Sequence, residues 1–269
     1  MNARNQNAAR ETGETSPDGR LSSVAAAIRL LKAFSEEESE IGISTLAKKL
    51  SLAKSTVHRL ATTLLADGLL EQNPENGRYR LGIELFTMGA LVRRRLDLSK
   101  QALPFLHELR EKTDETVYLA ILDRTNIVYL YFLESDQAIR MRSYMGSRKP
   151  AFCTAEGMVL LAHSAPDVVT RVIKDGLEPR TPKTNSNPEE FIKSLDRVRV
   201  EGFAIDDEYS EIGMRGISAP VRDMTGNVVA AISVGGPVQR MTKKSLRGIT
   251  PELITAADGL SMSLGYRRP

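Results

Sequence analysis

The sequence lacks residues and motifs that several classes of protein require. Cys153 is the one cysteine among 269 residues, which excludes a disulfide within the chain and a cysteine-based zinc cluster and is typical of a reducing cytoplasm. No apolar run approaches the roughly 18 residues of a membrane-spanning helix. The GxSxG, Walker A, HExxH and GxGxxG patterns are missing, and the 3 histidines show no metal-ligand spacing. We therefore expect a cytoplasmic protein with no membrane partner, catalytic activity, metal or cofactor.

Acidic residues are also missing from residues 41 to 66, a stretch that carries three lysines and an arginine. Within it begins SLAKSTVHRLATTLLADGLL (51 to 70), in which apolar residues recur with the spacing of one buried helical face. Ser, Thr, His and Arg occupy the opposite side of the same helix. A solvated helix face ordinarily carries Glu as well as Lys. This polar face is therefore better suited to phosphates and base edges.

Two amphipathic helices are predicted before this one. In SSVAAAIRLLKAF (22 to 34), the apolar residues expected to face a shared core are Val24, Ile28, Leu31 and Phe34. ISTLAKKL follows, with Ser44 as its N-cap. The link SLA (51 to 53) is short enough only for a tight turn, so the second and third helices form a helix-turn-helix.

A β-hairpin is predicted after the third helix. LLEQNPENGRYRLG contains Asn76-Gly77, a strong hairpin signal, between two apolar pairs. Three helices and a hairpin make a winged helix-turn-helix, whose third helix enters the major groove while the hairpin (the wing) lies near phosphates or the minor groove. The residues predicted to contact double-stranded DNA are Ser44, Thr45, Lys54, Ser55, Thr56, His58, Arg59, Thr62, Arg78 and Arg80.

IELFTMGALVRRRLDL, residues 83 to 98, predicts a linker helix that carries a run of three arginines. Two interpretations stay open: a surface helix with a solvated basic cluster, or a helix whose apolar side pairs with a second subunit while the arginines approach DNA. One winged helix contacts few base pairs, whereas a dimer reads two half-sites. We therefore expect a homodimer or homotetramer.

The remaining sequence, residues 99 to 269, predicts a mixed α+β domain of the GAF or PAS type, which senses small molecules. Helices are predicted at 101 to 115, 154 to 164 (with Thr154 as N-cap), 187 to 202 (an Asn cap, then proline) and 250 to 266. Strands are predicted at 117 to 123, 127 to 134, 138 to 145, 216 to 223 and 228 to 236. Residues 1 to 20 are expected to be a disordered tail rather than a signal peptide, which leaves 21 to 82 for the winged helix-turn-helix.

These motifs, in this order, resemble the IclR-type bacterial transcriptional regulators. The resemblance spans residues 22 to 266 and includes LAKSTVHRLATTLLADGLLE, NPENGRYRLG, PAFCTAEGMVLLA, DDEYSEIGMRGISAPVRD and AAISVGGPVQRM. It implies an α+β architecture with an N-terminal winged helix-turn-helix, a linker helix and a C-terminal GAF-like effector-binding domain, in dimers that often pair into tetramers. It also implies that a small metabolite, often an aromatic or organic acid, alters operator binding.

The resemblance further implies an effector pocket at the start of the helix after CTAEG. The positions carried over are Thr154, Ala155, Glu156, Asp206, Gly216, Ser233 and Gly235, to which the neighbouring positions Ser218, Met141 and Tyr144 are added. A small apolar residue is usual in the family at Glu156, and lysine at Met158. Cysteine or another small side chain is common at Gly216, and a second serine is common at Gly235. These departures are expected to enlarge the pocket and to repel an anion from the helix N-terminus.

The effector is therefore expected to be larger than a two- or three-carbon acid. An aromatic or sugar-derived molecule is favoured, with hydroxyl or amine donors facing Glu156 and Asp206. Of Tyr129, Tyr131 and Tyr144, those that strand alternation turns inward are expected to supply an apolar wall. Purely structural roles also stay open for the pocket positions, as helix caps, backbone glycines and a buried serine.

The sequence thus predicts a sequence-specific DNA-binding regulator, a repressor of a catabolic operon, whose operator binding a small metabolite controls. The alternative is a small-molecule-binding GAF-fold protein that acts mainly as an enzyme or an interaction scaffold. The acid-free basic stretch from 41 to 66 favours the regulator, because an enzyme or scaffold would not need it.

Overall fold

The computed structural model describes residues 22–95, 98–140 and 144–267. These residues form two compact units that divide after Arg95. The tail expected at residues 1 to 20 lies outside the described residues, as do the side chains of the three linker arginines. Of the helices that the structure describes, none combines the length and the apolar character needed to cross a membrane.

The first unit is a winged helix-turn-helix, as the sequence predicts. Its elements are α1 (Ser22–Leu31), α2 (Ile43–Leu50), α3 (Lys54–Ala66), β1 (Leu70–Gln72), β2 (Tyr79–Leu81) and α4 (Ile83–Arg95). Helices α1 to α3 and the antiparallel β1–β2 hairpin enclose one apolar core, which includes Leu30, Leu46, Val57, Ala61, Leu70 and Tyr79. Burial of this apolar surface holds the three helices together and leaves the polar face of α3 in solvent.

The first two helices differ in detail from the expectation. Val24 and Ile28, expected in the core, are 52% and 48% exposed. Helix α1 instead turns the face that carries Leu30 inward. Gly42 rather than Ser44 is the N-cap of α2, and no side-chain hydrogen bond caps the helix there. Ser44 therefore lies exposed within the first turn, and its hydroxyl does not cap the helix.

Close backbone packing joins the end of α3 to the wing. Gly68 has a φ of +67° and ends α3 with the paired hydrogen bonds of a Schellman motif. A Cβ at Gly82 would lie 2.1 Å from the carbonyl oxygen of Gly68, so this approach requires glycine. The hairpin is confirmed, but its loop spans residues 73 to 78 instead of two residues, with Gly77 at a φ of +69°.

The second unit is built on one antiparallel sheet. Its elements are α5 (Leu98–Thr113), β3 (Thr116–Asp123), β4 (Asn126–Leu133), β5 (Arg148–Pro150), a 3-10 turn (Ala151–Cys153), α6 (Ala155–Ala162), α7 (Pro166–Asp175), α8 (Pro188–Glu201), β6 (Ala204–Asp207), β7 (Met214–Arg222), β8 (Val228–Pro237) and α9 (Lys243–Ser263). The strand order is β5-β4-β3-β8-β7-β6. Helices α5 and α9 pack on one face of the sheet, and α6, α7 and α8 pack on the other.

Capping signals predicted some helix starts of this unit and missed one. Thr154 caps α6 and Asn187 caps α8, as expected. Helix α9 starts earlier than predicted, at Lys243 behind the cap Thr242, so Pro251 lies inside the helix. Lysines rather than acids fill the first turn of α9, which made this earlier cap harder to recognise.

The prediction of a third strand at residues 138 to 145 is wrong. The described residues of that range are not in a strand, and residues 141 to 143 lie outside the described residues. The edge strand is β5 instead, which pairs with β4 through Val128 opposite Arg148. An edge strand needs a partner on one side only, so its polar residues and its proline show no apolar alternation. Helix α7 and strand β6 were not predicted either.

Candidate DNA-binding surface and ligand cavity

Helix α3 presents a polar face without an acidic residue. Val57, Ala61 and Leu64 are buried on its inner side. Of the residues predicted to contact DNA, those exposed on the two helices are Ser44, Thr45, Lys54, Ser55, His58, Arg59 and Thr62, and Thr56 is half-buried. The helix-turn-helix thus carries these side chains at or near its solvent-facing surface.

The positive charge of this face has no carboxylate beside it. In the described part of the chain, Lys54 and Arg59 form no salt bridge, whereas Lys49 on α2 pairs with Glu38. Thr62 donates its hydroxyl to the carbonyl oxygen of His58, at 3.0 Å, which directs its own oxygen to solvent as an acceptor. A basic face without acids attracts the phosphate backbone of DNA.

The two wing arginines differ in their surroundings. Arg80 lies directly opposite Glu71 in the hairpin, with 2.9 Å between Nε and Oε2, and Nη1 lies 3.9 Å from Glu40. Arg78 is exposed and forms no salt bridge to any residue that the structure describes. Arg78 is therefore available to a phosphate, whereas Arg80 already has carboxylate partners. The sequence analysis missed these acids, although the hairpin register places Glu71 opposite Arg80.

Glu40 also fixes the loop that carries Arg78. Its carboxylate accepts hydrogen bonds from the side-chain amides of Asn76, at 2.9 Å, and Asn73, at 3.0 Å. These bonds, the one from Asn76 foremost, lower the pKa of Glu40. Hydrogen bonds to an ionised group are the stronger ones, so they hold the loop in one shape.

In the second unit, residues far apart in the sequence meet on one row of the sheet. Asp206 on β6 lies opposite Gly216 on β7, which in turn lies opposite Gly235 on β8. A Cβ at Gly216 would meet only the carbonyl oxygen of Val234, at 3.6 Å, so space lies above it. The residues around this space are Tyr118, Tyr129, Lys149, Thr154, Ala155, Glu156, Asp206, Ser210, Met214, Arg215, Gly216, Val234 and Gly235. We call this space the cavity; it brings together the predicted positions on α6, β6, β7 and β8.

Helix α6 begins at the cavity in a conformation that its sequence enforces. The Thr154 hydroxyl oxygen accepts a hydrogen bond from the N–H of Gly157, at 3.2 Å. A Cβ at Gly157 would lie 2.0 Å from the carbonyl oxygen of Ala151, so only glycine fits there. Glu156 is 7% exposed, and its carboxylate accepts a hydrogen bond of 2.5 Å from the Ser233 hydroxyl.

A second carboxyl group, that of Asp206, is buried in the cavity. Burial raises the pKa of Asp206 to about 6, although hydrogen bonds from Ser210 and from the N–H of Tyr209 lower it. The negative charge of Glu156 adds to the rise. Burial, and after it the charge of Glu156, also raises the pKa of Tyr129. The polar side chains of the cavity are therefore rich in hydrogen-bond acceptors.

Two cations at the cavity are paired with other acids. The Nζ atom of Lys149 lies 3.4 Å from Glu211. Arg215 donates to Asp207, at 2.7 Å, and to the carbonyl oxygen of Met241. The positive charges are thus engaged by carboxylates other than those of the cavity.

The cavity is small. Its volume open to the centre of a water molecule is about 20 Å³, enough for about one water. The rings of Tyr118 and Tyr129, with centroids 4.9 Å apart, border it. The expectation that Gly216 and Gly235 enlarge the pocket stays a prediction: Gly216 leaves room above the sheet, and the two rings line the same space.

Three predicted effector positions that the structure describes do not line the cavity. Ser218 and Ser233 are opposite each other, two residues along the strands from Gly216 and Gly235, and their hydroxyls donate to the carbonyl oxygen of Ile232 and to Glu156. Tyr144 is 49% exposed and away from the cavity wall. Met141 lies outside the described residues.

Part of the lining was not predicted from the sequence. Tyr131, one of the three tyrosines considered for the wall, packs on the other face of the sheet, as alternation with Tyr129 requires. Tyr118, Lys149 and Ser210 take part instead. Ser210 follows Asp206 by four residues and bonds back to it, a short-range signal that the sequence offered. Tyr118 could be placed only with the strand order in hand, because β3 lies between β4 and β8, and β8 is far from it in the sequence.

Neither a reactive thiol nor a metal cluster is found at the cavity. Cys153 is buried, and burial raises the pKa of its thiol to about 12, so it stays protonated and unreactive. Across the described ranges, His, Cys, Asp and Glu form no group of three that could hold a metal ion.

Comparisons with known proteins agree on one family. The model of the IclR helix-turn-helix domain matches residues 23–74, and that of the bacterial transcriptional regulator IclR C-terminal domain matches residues 90–262. The HTH-type transcriptional regulator KdgR of Escherichia coli is 36% identical over 252 residues, which cover 93% of this chain and 95% of KdgR. XynR of the same organism is 34% identical over 91% of this chain and 98% of its own. The crystal structure of an IclR homolog complexed with 4-hydroxybenzoate from Microbacterium hydrocarbonoxydans matches with a TM-score of 0.78 and 27% identity, over 90% of this chain and 98% of that one.

Proposed function

We propose that this chain, which belongs to the IclR family of bacterial transcriptional regulators, is a repressor whose hold on its operator is controlled by a metabolite in the cavity. The chain is a DNA-binding transcription regulator with a helix-turn-helix domain and a C-terminal effector domain, and it is not an enzyme. We expect it to act in the cytoplasm, where bacterial DNA lies, on a catabolic operon. A repressor bound at an operator excludes other proteins from the same stretch of DNA.

The observation that carries this proposal is the exposed, acid-free face of α3. In a winged helix-turn-helix this helix enters the major groove, where Arg59 can reach the edge of a guanine. Arg59 is exposed and has no carboxylate partner among the described residues, so no salt bridge must break before it contacts DNA. We expect Arg78 on the wing to contact a phosphate in the same complex.

We further propose that the chain works as a homodimer or homotetramer. Val24 and Ile28 on α1, with Ile83, Phe86 and Leu91 on α4, are large apolar residues left exposed in one unit. Scattered apolar residues on a surface need no explanation, but five on two helices favour an interface. A second copy of the chain that covers them would place two recognition helices on two half-sites.

The cavity is the proposed effector site. It lies where strands β6, β7 and β8 meet the start of α6, and polar side chains from α6, β6 and β7 line it. A relative of the same fold has been crystallised with 4-hydroxybenzoate, so the fold accepts a small organic ligand. A ligand that binds one state of the domain better than another shifts the balance between states by that difference in affinity.

The DNA-binding part is tested by selecting duplexes from a random pool with the full-length chain and measuring their affinity by fluorescence anisotropy. Wild type should select one pseudo-palindromic sequence. Arg59→Ala should weaken that complex by about 1–3 kcal/mol and relax the choice of base at one position in each half-site.

The matched control is Arg197→Ala, which removes an exposed arginine from α8 in the other unit. It should leave both affinity and sequence preference unchanged. Selection of no sequence by wild type, or equal affinity of the Arg59→Ala variant at every base, would contradict the proposal.

A further inference from the structure

The cavity already contains an acidic group at the point where a helix attracts anions. The N–H groups in the first turn of α6 carry the positive end of the helix dipole. Thr154 occupies the N–H of Gly157, and the buried carboxylate of Glu156 belongs to the same turn. A ligand carboxylate that entered here would have to sit beside the carboxylate of Glu156, in a space with little water to screen the two charges.

The rest of the polar lining does not relieve this repulsion. Asp206 adds a second buried carboxyl group on the floor of the cavity. The cations nearby, Lys149 and Arg215, are paired with Glu211 and Asp207. An anion that drew either cation inward would break an existing salt bridge to do so.

We propose that the cavity takes a cationic ligand, an organic ammonium ion whose charged head lies between Glu156 and Asp206. This assignment rests on the proposed function of the cavity as the effector site and names the chemistry of the effector. An ammonium group supplies three hydrogen-bond donors to these acceptors. The rings of Tyr118 and Tyr129 border the same space, and aromatic rings attract organic cations.

The size of the cavity limits what can enter without rearrangement. A charged head of a few atoms fits into about 20 Å³ only after the hydrogen bond between Glu156 and Ser233 breaks or the two tyrosine rings move. The attached carbon skeleton therefore has to be accommodated by opening of the cavity. For this reason the test uses one small and one ring-containing probe.

The experiment is isothermal titration calorimetry on the full-length chain with matched probes. Propylammonium is compared with propionate and with propanol, and benzylammonium with benzoate and with benzyl alcohol. In at least one series we expect the ammonium to bind and the isosteric carboxylate to bind about 30-fold more weakly or not at all. The alcohol should also be weaker, because it carries no charge.

Two variants assign the binding to the cavity. Glu156→Gln keeps the shape of the side chain and removes its charge. It should weaken the binding of the ammonium probe by about 30-fold or more, since one partner of a buried charge pair is lost. Glu111→Gln makes the same change on the exposed face of α5 and should have no effect. Gly216→Ala, which fits the backbone but narrows the floor, should weaken binding as well.

Tighter binding of the carboxylate or the alcohol than of the ammonium would overturn the assignment while leaving the cavity as an effector site. Binding of no probe, or ammonium binding that Glu156→Gln leaves unchanged, would also overturn it. The proposed function fails by a different result, the absence of sequence-selective DNA binding by wild type, so the two failures are distinguishable.

Discussion

Asp206 gives the sharpest test of how the cavity is built. Its carboxyl group is buried on β6, and burial raises its pKa from 3.8 to about 6. The folded chain therefore holds this proton at pH values where the unfolded chain has already lost it. The contribution to stability is fully present below about pH 4 and is lost as the pH rises through about 6. Above that range the folded chain carries the whole cost of a buried carboxylate.

The size of this cost follows from the same values. A pKa raised from 3.8 to about 6 corresponds to roughly 3 kcal/mol of folding free energy. Asp206→Asn removes the charge and keeps one oxygen, which can still accept from the N–H of Tyr209, at 2.7 Å, and of Ser210, at 3.2 Å. The second oxygen, which accepts from the Ser210 hydroxyl, is lost, at about 1 kcal/mol.

Urea unfolding of wild type and the Asp206→Asn variant at several pH values between 4 and 7 measures this difference. Relative to wild type, the variant should gain roughly 3 kcal/mol of stability over that interval. Asp175→Asn, an exposed carboxylate at the end of α7, should give a difference that stays constant with pH. A constant difference for Asp206→Asn as well, or a variant that loses stability as the pH rises, would refute the reasoning.

Three further predictions concern the wing, helix α6 and assembly. Arg78→Ala should weaken binding to all DNA sequences and lower the slope of log affinity against log salt by about one; an unchanged slope would show that Arg78 does not contact a phosphate. Gly157→Ala should cost roughly 1–3 kcal/mol or more in urea unfolding, because its Cβ would meet the carbonyl oxygen of Ala151 at 2.0 Å; an unchanged midpoint would show that α6 moves freely. In sedimentation at micromolar concentration the chain should be a dimer or tetramer, and Phe86→Glu should shift it toward monomer; a monomeric wild type would contradict the assembly.

The DNA-binding surface could be predicted because its signals are local. The burial of Val57, Ala61 and Leu64 follows from spacing within a single helix, and the exposure of Arg59 follows from the same spacing. The tight turn before α3 and the glycine at its end are likewise set by residues a few positions away. Predictions from such local signals do not depend on which strands pair in the sheet.

Some local rules failed where two signals competed. Ser44 is the better capping residue by type, yet Gly42 takes that place one residue before the helix. The charge of Arg80 suggested a phosphate contact, yet the register of the hairpin sets Glu71 opposite it. In both cases the backbone path decides which residue reaches the position, and composition alone does not reveal that path.

The cavity could be predicted only in part, because it depends on long-range pairing. The resemblance supplied Asp206, Gly216 and Gly235, which the sheet register then sets side by side. The hydrogen bond between Glu156 and Ser233 joins residues 77 positions apart, and no periodicity in the sequence foreshadows it. Tyr118 on β3 was the omission, since its place at the cavity depends on the long-range pairing of β3 with β8.

The small size of the cavity bears directly on how an effector could act. A space of about 20 Å³ does not hold an organic molecule without rearrangement, so a ligand must displace side chains of the lining, such as Glu156 or the tyrosine rings. Glu156 lies in the first turn of α6, and Gly157 packs that turn tightly against the backbone of Ala151. A ligand that displaces this turn therefore moves more than one side chain, because a close-packed interior transmits strain. A ligand that binds only after this displacement has no affinity for the domain in its present form. It therefore stabilises the displaced form by its whole binding free energy, and regulation requires such a difference in affinity between two forms.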